Sequence, residues 1–368
     1  MLLLWSEKWR KPQVIQGMTL AKLLKVLARN GFQVDTECLG RLAQLVAMGV
    51  LNHVYGACES LFNGGEIRRT TVNQPPLFVL GHWRSGTTHL HNLISLDERF
   101  ASPSAYQSLF PHHFLFTQVA GPLFDLIAPR TRPMDNVAFG SHVPHEDEFA
   151  LVALSGVSPY LCLLFPVTQD RTYSDLDLRR LPIDAIEEWK RSLMLFLRKL
   201  WISEGRRAVL KSPPHMGRIG VLLEMFPDAQ FVHIVRNPYK VYLSCHKLWR
   251  SSFINTHLQT PSEALVDETI LSWYERLFEL FERDRRLIPA GSFHEMKFED
   301  LESDPLGQLE MMYQDLGLSG FPELERPLIS YLESIRDYRK NEYSLDARSR
   351  EKVSRRWRGT FERYGYEL

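Results

Sequence analysis

Leu77-Phe78-Val79-Leu80-Gly81-His82-Trp83-Arg84-Ser85-Gly86-Thr87-Thr88 is the stretch that decides the fold. Four apolar residues in a row read as a buried strand, and a loop with two glycines follows at once and opens a helix. This is the frame of a phosphate-binding loop. Glycines let the backbone curl so that successive N–H groups and a helix N-terminus face an anion. In the nucleotide-hydrolysing version a Lys reaches the terminal phosphates and a Ser or Thr holds Mg²⁺. Thr87 stands where that Lys belongs, and the positive charge has moved back to Arg84 inside the loop. The cradle for an anion survives while the ATP-hydrolysis machinery is incomplete. An ordinary strand-to-helix turn with two glycines satisfies the same short motif, so the rest of the chain must decide.

Working outward, short apolar runs at 208–210, 231–235 and 293–298 alternate with helical stretches. That alternation predicts an α/β fold, a P-loop-type parallel sheet flanked by helices on both faces. Residues 1–70 read as an N-terminal helical extension, with a helix over 39–51 and Asn63-Gly64-Gly65 as its closing turn. Residues 71–368 read as the main domain. Within it, about 100–205 is a long insertion after the first strand–helix unit, rich in Pro, His and aromatics, of the kind that builds the substrate side of a site. Residues 264–288 form an amphipathic helix with Val266, Ile270, Trp273, Leu277 and Phe281 on one stripe.

The second strand of interest, 231–235, ends in Arg236-Asn237-Pro238. A Walker-B strand would end in an acid that manages Mg²⁺; this one delivers a cation. Asn237 suits an N-cap and Pro238 a first helical position, so a helix starts there with its N–H groups beside Arg236, and Ser244 falls two turns on. Lys240 in the first turn opposes the helix dipole unless an anion lies nearby. A strand–helix corner with Arg236 in a surface salt bridge is the alternative. Two anion-seeking strand ends together imply a ligand with separated anionic groups and chemistry without a bound metal.

Bulk composition narrows the classes. In 368 residues, 44 basic and 44 acidic side chains cancel, so no global field points to nucleic acid. Cys38, Cys58, Cys162 and Cys245 are scattered without a Cys-x-x-Cys pair, which suits reduced thiols in a cytoplasm. The apolar residues 2–4 run straight into Trp5, Glu7, Lys8 and Arg10, too short for a signal peptide or a membrane anchor. Residues 149–169 carry no charge and approach the length of a membrane span, but Ser155, Gly156, Ser158 and Pro159 interrupt them. A buried helix followed by a strand or pocket wall is the expectation, with peripheral membrane contact or a hydrophobic acceptor site as other uses of the same residues. Arg339, Lys340, Arg348, Arg350, Lys352, Arg355, Arg356 and Arg358 make the C-terminal segment basic, either as a solvated helix face or to close over an anion.

These motifs resemble, in order along the chain, those of the sulfotransferases that use 3′-phosphoadenosine 5′-phosphosulfate. Arg84-Ser85-Gly86-Thr87-Thr88 looks like that family's 5′-phosphosulfate loop. Lys211-Ser212-Pro213 is similar to its next strand end, and Arg236 with Ser244 has its spacing for the 3′-phosphate. Phe298-Glu299-Asp300-Leu301 with Asp304-Pro305 resembles its Tyr-Glu-Asp-Leu and Asp-Pro segment, with Phe298 replacing the Tyr. The resemblance covers about 77–318 and is closer to bacterial and carbohydrate-type branches than to animal cytosolic ones. It implies metal-independent sulfuryl transfer to a hydroxyl or amine of a small-molecule or lipid-like acceptor. Arg84, Ser85, Gly86, Thr87 and Thr88 would then hold the 5′ group, Arg236 and Ser244 the 3′-phosphate, and Lys211 the charge at the transferring group. The oligomeric state stays open.

The proton acceptor is less defined. Pro213 occupies the position where cytosolic relatives carry a His, and Ser104-Ala105-Tyr106-Gln107 has no acid where others place a Glu. Glu146, then Glu148 and His215, are the candidates, because an acid cluster followed by uncharged residues sets a carboxylate against an apolar pocket. Acids in the first turn of a helix account for the same pattern. His82, His89, His91, His112, His113, His142 and His145 show no ordered ligand spacing, so no metal is expected. A P-loop kinase or NTPase with an atypical loop, or a catalytically silent nucleotide-binding protein, are the rival functions.

Overall fold

The computed structural model describes residues 15–128, 131, 139–168, 175–251, 253–336 and 345–368. The N-terminal residues 2–10, and Arg339 and Lys340, lie outside the described residues. The chain divides into two compact units. One is Met1–Asn73 with Pro103–Gly205 and Leu248–Leu265; the other is Gln74–Ser102 with Arg206–Lys247 and Val266–Leu368.

The second unit is built on a five-stranded parallel sheet in the order β2-β3-β1-β4-β5. Its strands are β1 (Leu77–Leu80), β2 (Phe100–Ala101), β3 (Arg207–Lys211), β4 (Gln230–Val235) and β5 (Phe293–Lys297). Four of them are the apolar runs of the sequence, and Phe298 opens a helix rather than ending β5. Alternate side chains of β1 go to opposite faces, as the pleat requires. Leu77 and Val79 join Val209, Val232, Ile234, Leu90, Leu93, Leu309 and Met312 in one buried cluster. Phe78 stacks on Phe231 at 5.4 Å and meets Phe226 at 6.4 Å. Burying each such side chain is worth roughly 1.5–3 kcal/mol. The amphipathic helix runs Glu263–Asp284; Val266, Ile270, Leu277 and Phe281 are buried, while the half-exposed Trp273 lies against Trp83 at 5.1 Å.

The first unit is helical. The helix expected over 39–51 extends to Leu39–Phe62, and a second helix, Gly64–Arg69, begins inside the glycine pair read as a turn. These N-terminal helices share a unit with the insertion. Ile67 packs with Phe110, Phe114, Leu115, Phe124, Ala150 and Phe196, and Lys199 of the long helix Ile183–Glu204 pairs with the buried Glu59 at 2.5 Å. The other Glu59 oxygen accepts the amides of Leu115 and Phe116 at 2.8 and 3.2 Å. Burial pulls the Lys199 pKa down to about 8 against the opposing pull of that carboxylate.

The uncharged stretch departs from expectation in its second half. It forms the helices Glu148–Ser155 and Leu161–Leu164, so a short helix stands where a strand was one expectation. Residues 150–165 are buried throughout, as the reading of a buried helix expects. All four cysteines are free; Cys38, Cys162 and Cys245 are buried and Cys58 is half-buried.

Candidate active site

Three neighbouring parallel strands deliver the site to one sheet edge. Val79 pairs with Lys211 and Leu80 with His233, so the loop after β1, the end of β3 and the end of β4 emerge side by side. In an open α/β sheet the carboxyl ends of the strands are where ligands bind. The loop runs from Gly81 into the helix Thr87–Ile94, whose N-cap is Gly86 at φ +100°. Only glycine fits there. A Cβ on Gly86 would sit 2.1 Å from Cδ2 of Phe298, and the dihedral itself disfavours L side chains. Ser85 closes the turn, its N–H and Oγ both donating to the His82 carbonyl at 3.1 and 2.8 Å. Thr87 is buried and Thr88 half-buried in the first helical turn.

Arg84 takes a left-handed φ of +70°, uncommon for any residue that carries a Cβ. That conformation turns its side chain so that Nε donates to Ser244 Oγ at 2.8 Å. Arg236, released by β4, donates through Nη1 to the Arg84 carbonyl at 3.3 Å and stacks its guanidinium 4.3 Å over the Phe298 ring. Arg84, Arg236 and Ser244 therefore meet in one place. The helix Pro238–Ser251 begins as the sequence implies: Asn237 Oδ1 accepts the amides of Tyr239 and Lys240 at 3.0 and 3.4 Å. Lys211 is 1% exposed at the end of β3.

Two supports have no sequence counterpart as functional residues. Glu299 Oε1 accepts the Asn237 amide at 3.0 Å, and its Oε2 accepts the Tyr366 hydroxyl at 2.8 Å. Burial and the Glu299 charge push the Tyr366 pKa upward. Glu299 thus ties the end of β5 and the C-terminus to the Arg236 corner. The Phe-Glu-Asp-Leu segment was a visible signal, but it marks Phe298 as the platform under Arg236 and beside Gly86.

The candidate proton acceptors lie apart in the chain. His215 is fully buried in the 3₁₀ turn Pro213–Gly217, edge-on to Phe78 at 5.3 Å, so it packs in the sheet's aromatic layer. Glu146 and Glu148 belong to the first unit. Glu148 is the first residue of its helix, is fully buried and accepts the Ser158 hydroxyl. Glu146 precedes the helix, is half-buried and accepts the Tyr160 hydroxyl. An antiparallel bridge joins Ser104 to Pro144, with Ala105 N–H on Val143 O at 2.9 Å and His145 N–H on Pro103 O at 2.8 Å. The acid cluster is thereby placed beside Ser104, the stretch that lacks an acid of its own. Ser104 and Gln107 form a reciprocal capping box there. Among the described residues, no three His, Cys, Asp or Glu side chains stand together as a metal group.

Comparison with known proteins agrees with this geometry. The model of the sulfotransferase family matches residues 75–323. Over 363 residues the chain is 35% identical to the omega-hydroxy-beta-dihydromenaquinone-9 sulfotransferases Stf3 of Mycobacterium bovis and Mycobacterium tuberculosis, covering 99% of this chain and 93% of each relative. Among solved structures, sulfotransferase STF1 of Mycobacterium tuberculosis aligns at TM-score 0.65 and 20% identity over 92% of both chains. STF9 of Mycobacterium avium aligns at 0.62 and 18% identity, over 99% of this chain and 93% of that one. The solved structures share the fold, and the family match spans more than half of the chain with a sequence relative along nearly all of it. The chain belongs to the sulfotransferase family, an enzyme of sulfuryl transfer.

Proposed function

We propose that this sulfotransferase takes its sulfuryl group from 3′-phosphoadenosine 5′-phosphosulfate and passes it, without a metal, to a hydroxyl of a lipid-like acceptor. The observation that carries the donor is the convergence of Arg84, Arg236 and Ser244 beside a glycine-capped helix N-terminus. Such a cluster fits a nucleotide with two separated anionic groups. Arg84 with the amides of Gly86, Thr87 and Thr88 would hold the 5′ group, with Ser85 shaping the loop, while Arg236 and Ser244 would hold the 3′-phosphate. The bound donor supplies an activated sulfuryl group. Lys211 neutralises charge at the sulfuryl oxygens, and fixed donors of that kind contribute on the order of 10²- to 10³-fold in rate.

Glu146 is the proton acceptor in this proposal, taking the acceptor's hydroxyl proton at a carboxylate oxygen, with Tyr160 holding the group. Its support is the Ser104–Pro144 bridge, which brings an acid to the stretch that otherwise has none. Glu148, bound to Ser158 and wholly buried, serves the helix start, and His215 serves the core. The lipid-like acceptor rests on the two relatives at 35% identity, whose names specify a dihydromenaquinone bearing an omega-hydroxyl. A cytoplasmic setting rests on the four free cysteines.

Isothermal titration with 3′-phosphoadenosine 5′-phosphate in the absence of Mg²⁺ tests the donor site. Tight binding that weakens at least tenfold in Arg236→Ala is expected, since a charge-assisted hydrogen bond contributes about 1.5–3 kcal/mol. Equal affinity for adenosine monophosphate would sink the proposal.

A further inference from the structure

The helix Leu39–Phe62 leaves one face bare. Leu39, Val50, Leu51, Val54, Tyr55, Leu61 and Phe62 are exposed along it. Its two charged residues are turned inward: Glu59 is buried against Lys199, and the Arg41 guanidinium donates to the His257 carbonyl. The apolar surface continues beyond the helix. Phe62 stacks on Phe116 at 5.6 Å with the rings nearly parallel, and Phe116 leads to Val119, Leu123 and Leu126 around the helix Gly121–Ile127. Phe124 of that helix faces the core, which anchors the exposed residues in place.

We propose that this face docks on the surface of a lipid bilayer bearing anionic headgroups. Three observations select that occupant. First, the side chains stand proud of the surface: Leu61 is 78%, Phe62 70%, Val119 84% and Leu126 81% exposed. Projecting aliphatic and aromatic groups enter fluid hydrocarbon, whereas a protein partner would need a matching set of pockets. Second, the basic charge gathers at one end of the face: Arg68 and Arg69 are exposed just past the helix end beside Glu66, and Lys25 is exposed on the packed neighbour Leu20–Arg29, while the other exposed acids include Glu37 at the opposite helix end and Asp125, which accepts the Ser141 N–H and hydroxyl at 2.6 Å. Third, the helix is long and apolar enough to cross a membrane but is fixed along its length to its own unit. Gly49 lies so close to the backbone of Leu20 that a Cβ would approach it to 3.0 Å, and Asn52 donates to the carbonyls of Gln16 and Met18 at 2.8 and 2.9 Å. A helix held so lies in the interface with one face down.

The test is flotation of the full chain with vesicles of phosphatidylcholine and phosphatidylglycerol at 3:1, and with phosphatidylcholine alone. The chain should float with the mixed vesicles. L61S/V119S/L126S should lower the bound fraction at least tenfold, with unchanged circular dichroism and unchanged affinity for 3′-phosphoadenosine 5′-phosphate. R68A/R69A should weaken binding to the mixed vesicles severalfold and leave binding to phosphatidylcholine alone unaltered. A wild-type chain that stays in the unbound fraction overturns the proposal. So does a triple variant that floats like wild type, or a dimer in sedimentation equilibrium that the triple variant splits without any vesicle binding. Nucleotide affinity is read separately, so failure here leaves the donor proposal standing.

Discussion

Gly86 and Arg84 show how few atoms set the anion site. Gly86 combines a left-handed dihedral with the Phe298 ring pressed against its Cα, so Gly86→Ala faces both backbone strain and a clash. A loss of about 1–3 kcal/mol in unfolding free energy is expected, with nucleotide affinity falling in parallel. Adding Phe298→Ala should restore part of the stability, because it removes the clash but not the dihedral; urea titration of the single and double variants measures both. Glu146→Gln keeps the shape and the Tyr160 contact while removing the basic oxygen. Turnover should fall by 10²-fold or more, in the range of general-base losses, with 3′-phosphoadenosine 5′-phosphate affinity retained in titration. Undiminished turnover would shift the role to Glu148 or His215.

Among the elements, the corner after β4 depends on its cap. Asn237 satisfies two amides of the helix Pro238–Ser251 and gives its own N–H to Glu299. Asn237→Ala should therefore cost about 0.5–2 kcal/mol, read by denaturant melts, and should loosen nucleotide binding because Arg236 precedes it. This corner was legible in the sequence, as were β1, β3 and β4, because each is a largely apolar run punctuated by Gly, Pro or Asn; β5 was placed within 293–298 although His294, Glu295 and Lys297 make it mostly polar. β2 was not: two residues carry no period. The helix Leu39–Phe62 was legible only over 39–51, and its remaining turns run on to the Asn63 that the sequence marks as a turn. Asn52 is tolerated because Gln16, Met18 and His113 satisfy its amide, a contact set that local sequence does not show. The cationic part of the site could be read because strand ends announce it. The neighbourhood of Glu146 could not, for it rests on the bridge between Ser104 and Pro144, residues far apart in the chain.

Across the whole molecule, acid should be destabilising well before the carboxylates titrate. Burial holds His82, His112, His113 and His257 down to about 4 from the ordinary 6.5. Between pH 6.5 and 4 the unfolded chain binds protons at these rings and the folded chain does not, so stability is complete above 6.5 and drains as pH falls toward 4. Each histidine accounts for roughly 1–3 kcal/mol at full titration. Chemical denaturation at pH 7, 6 and 5 should show falling midpoints; a flat profile would mean these rings are protonated in the folded protein. The interleaving of the two units has its own consequence during synthesis. Three separate stretches build each unit, and β1 leaves the ribosome with neither neighbour yet made. At ordinary elongation rates the nascent Leu77–Leu80 segment waits on the order of ten seconds for β3, a bare apolar ribbon for which chaperone shelter would matter more than for a chain whose partners follow directly.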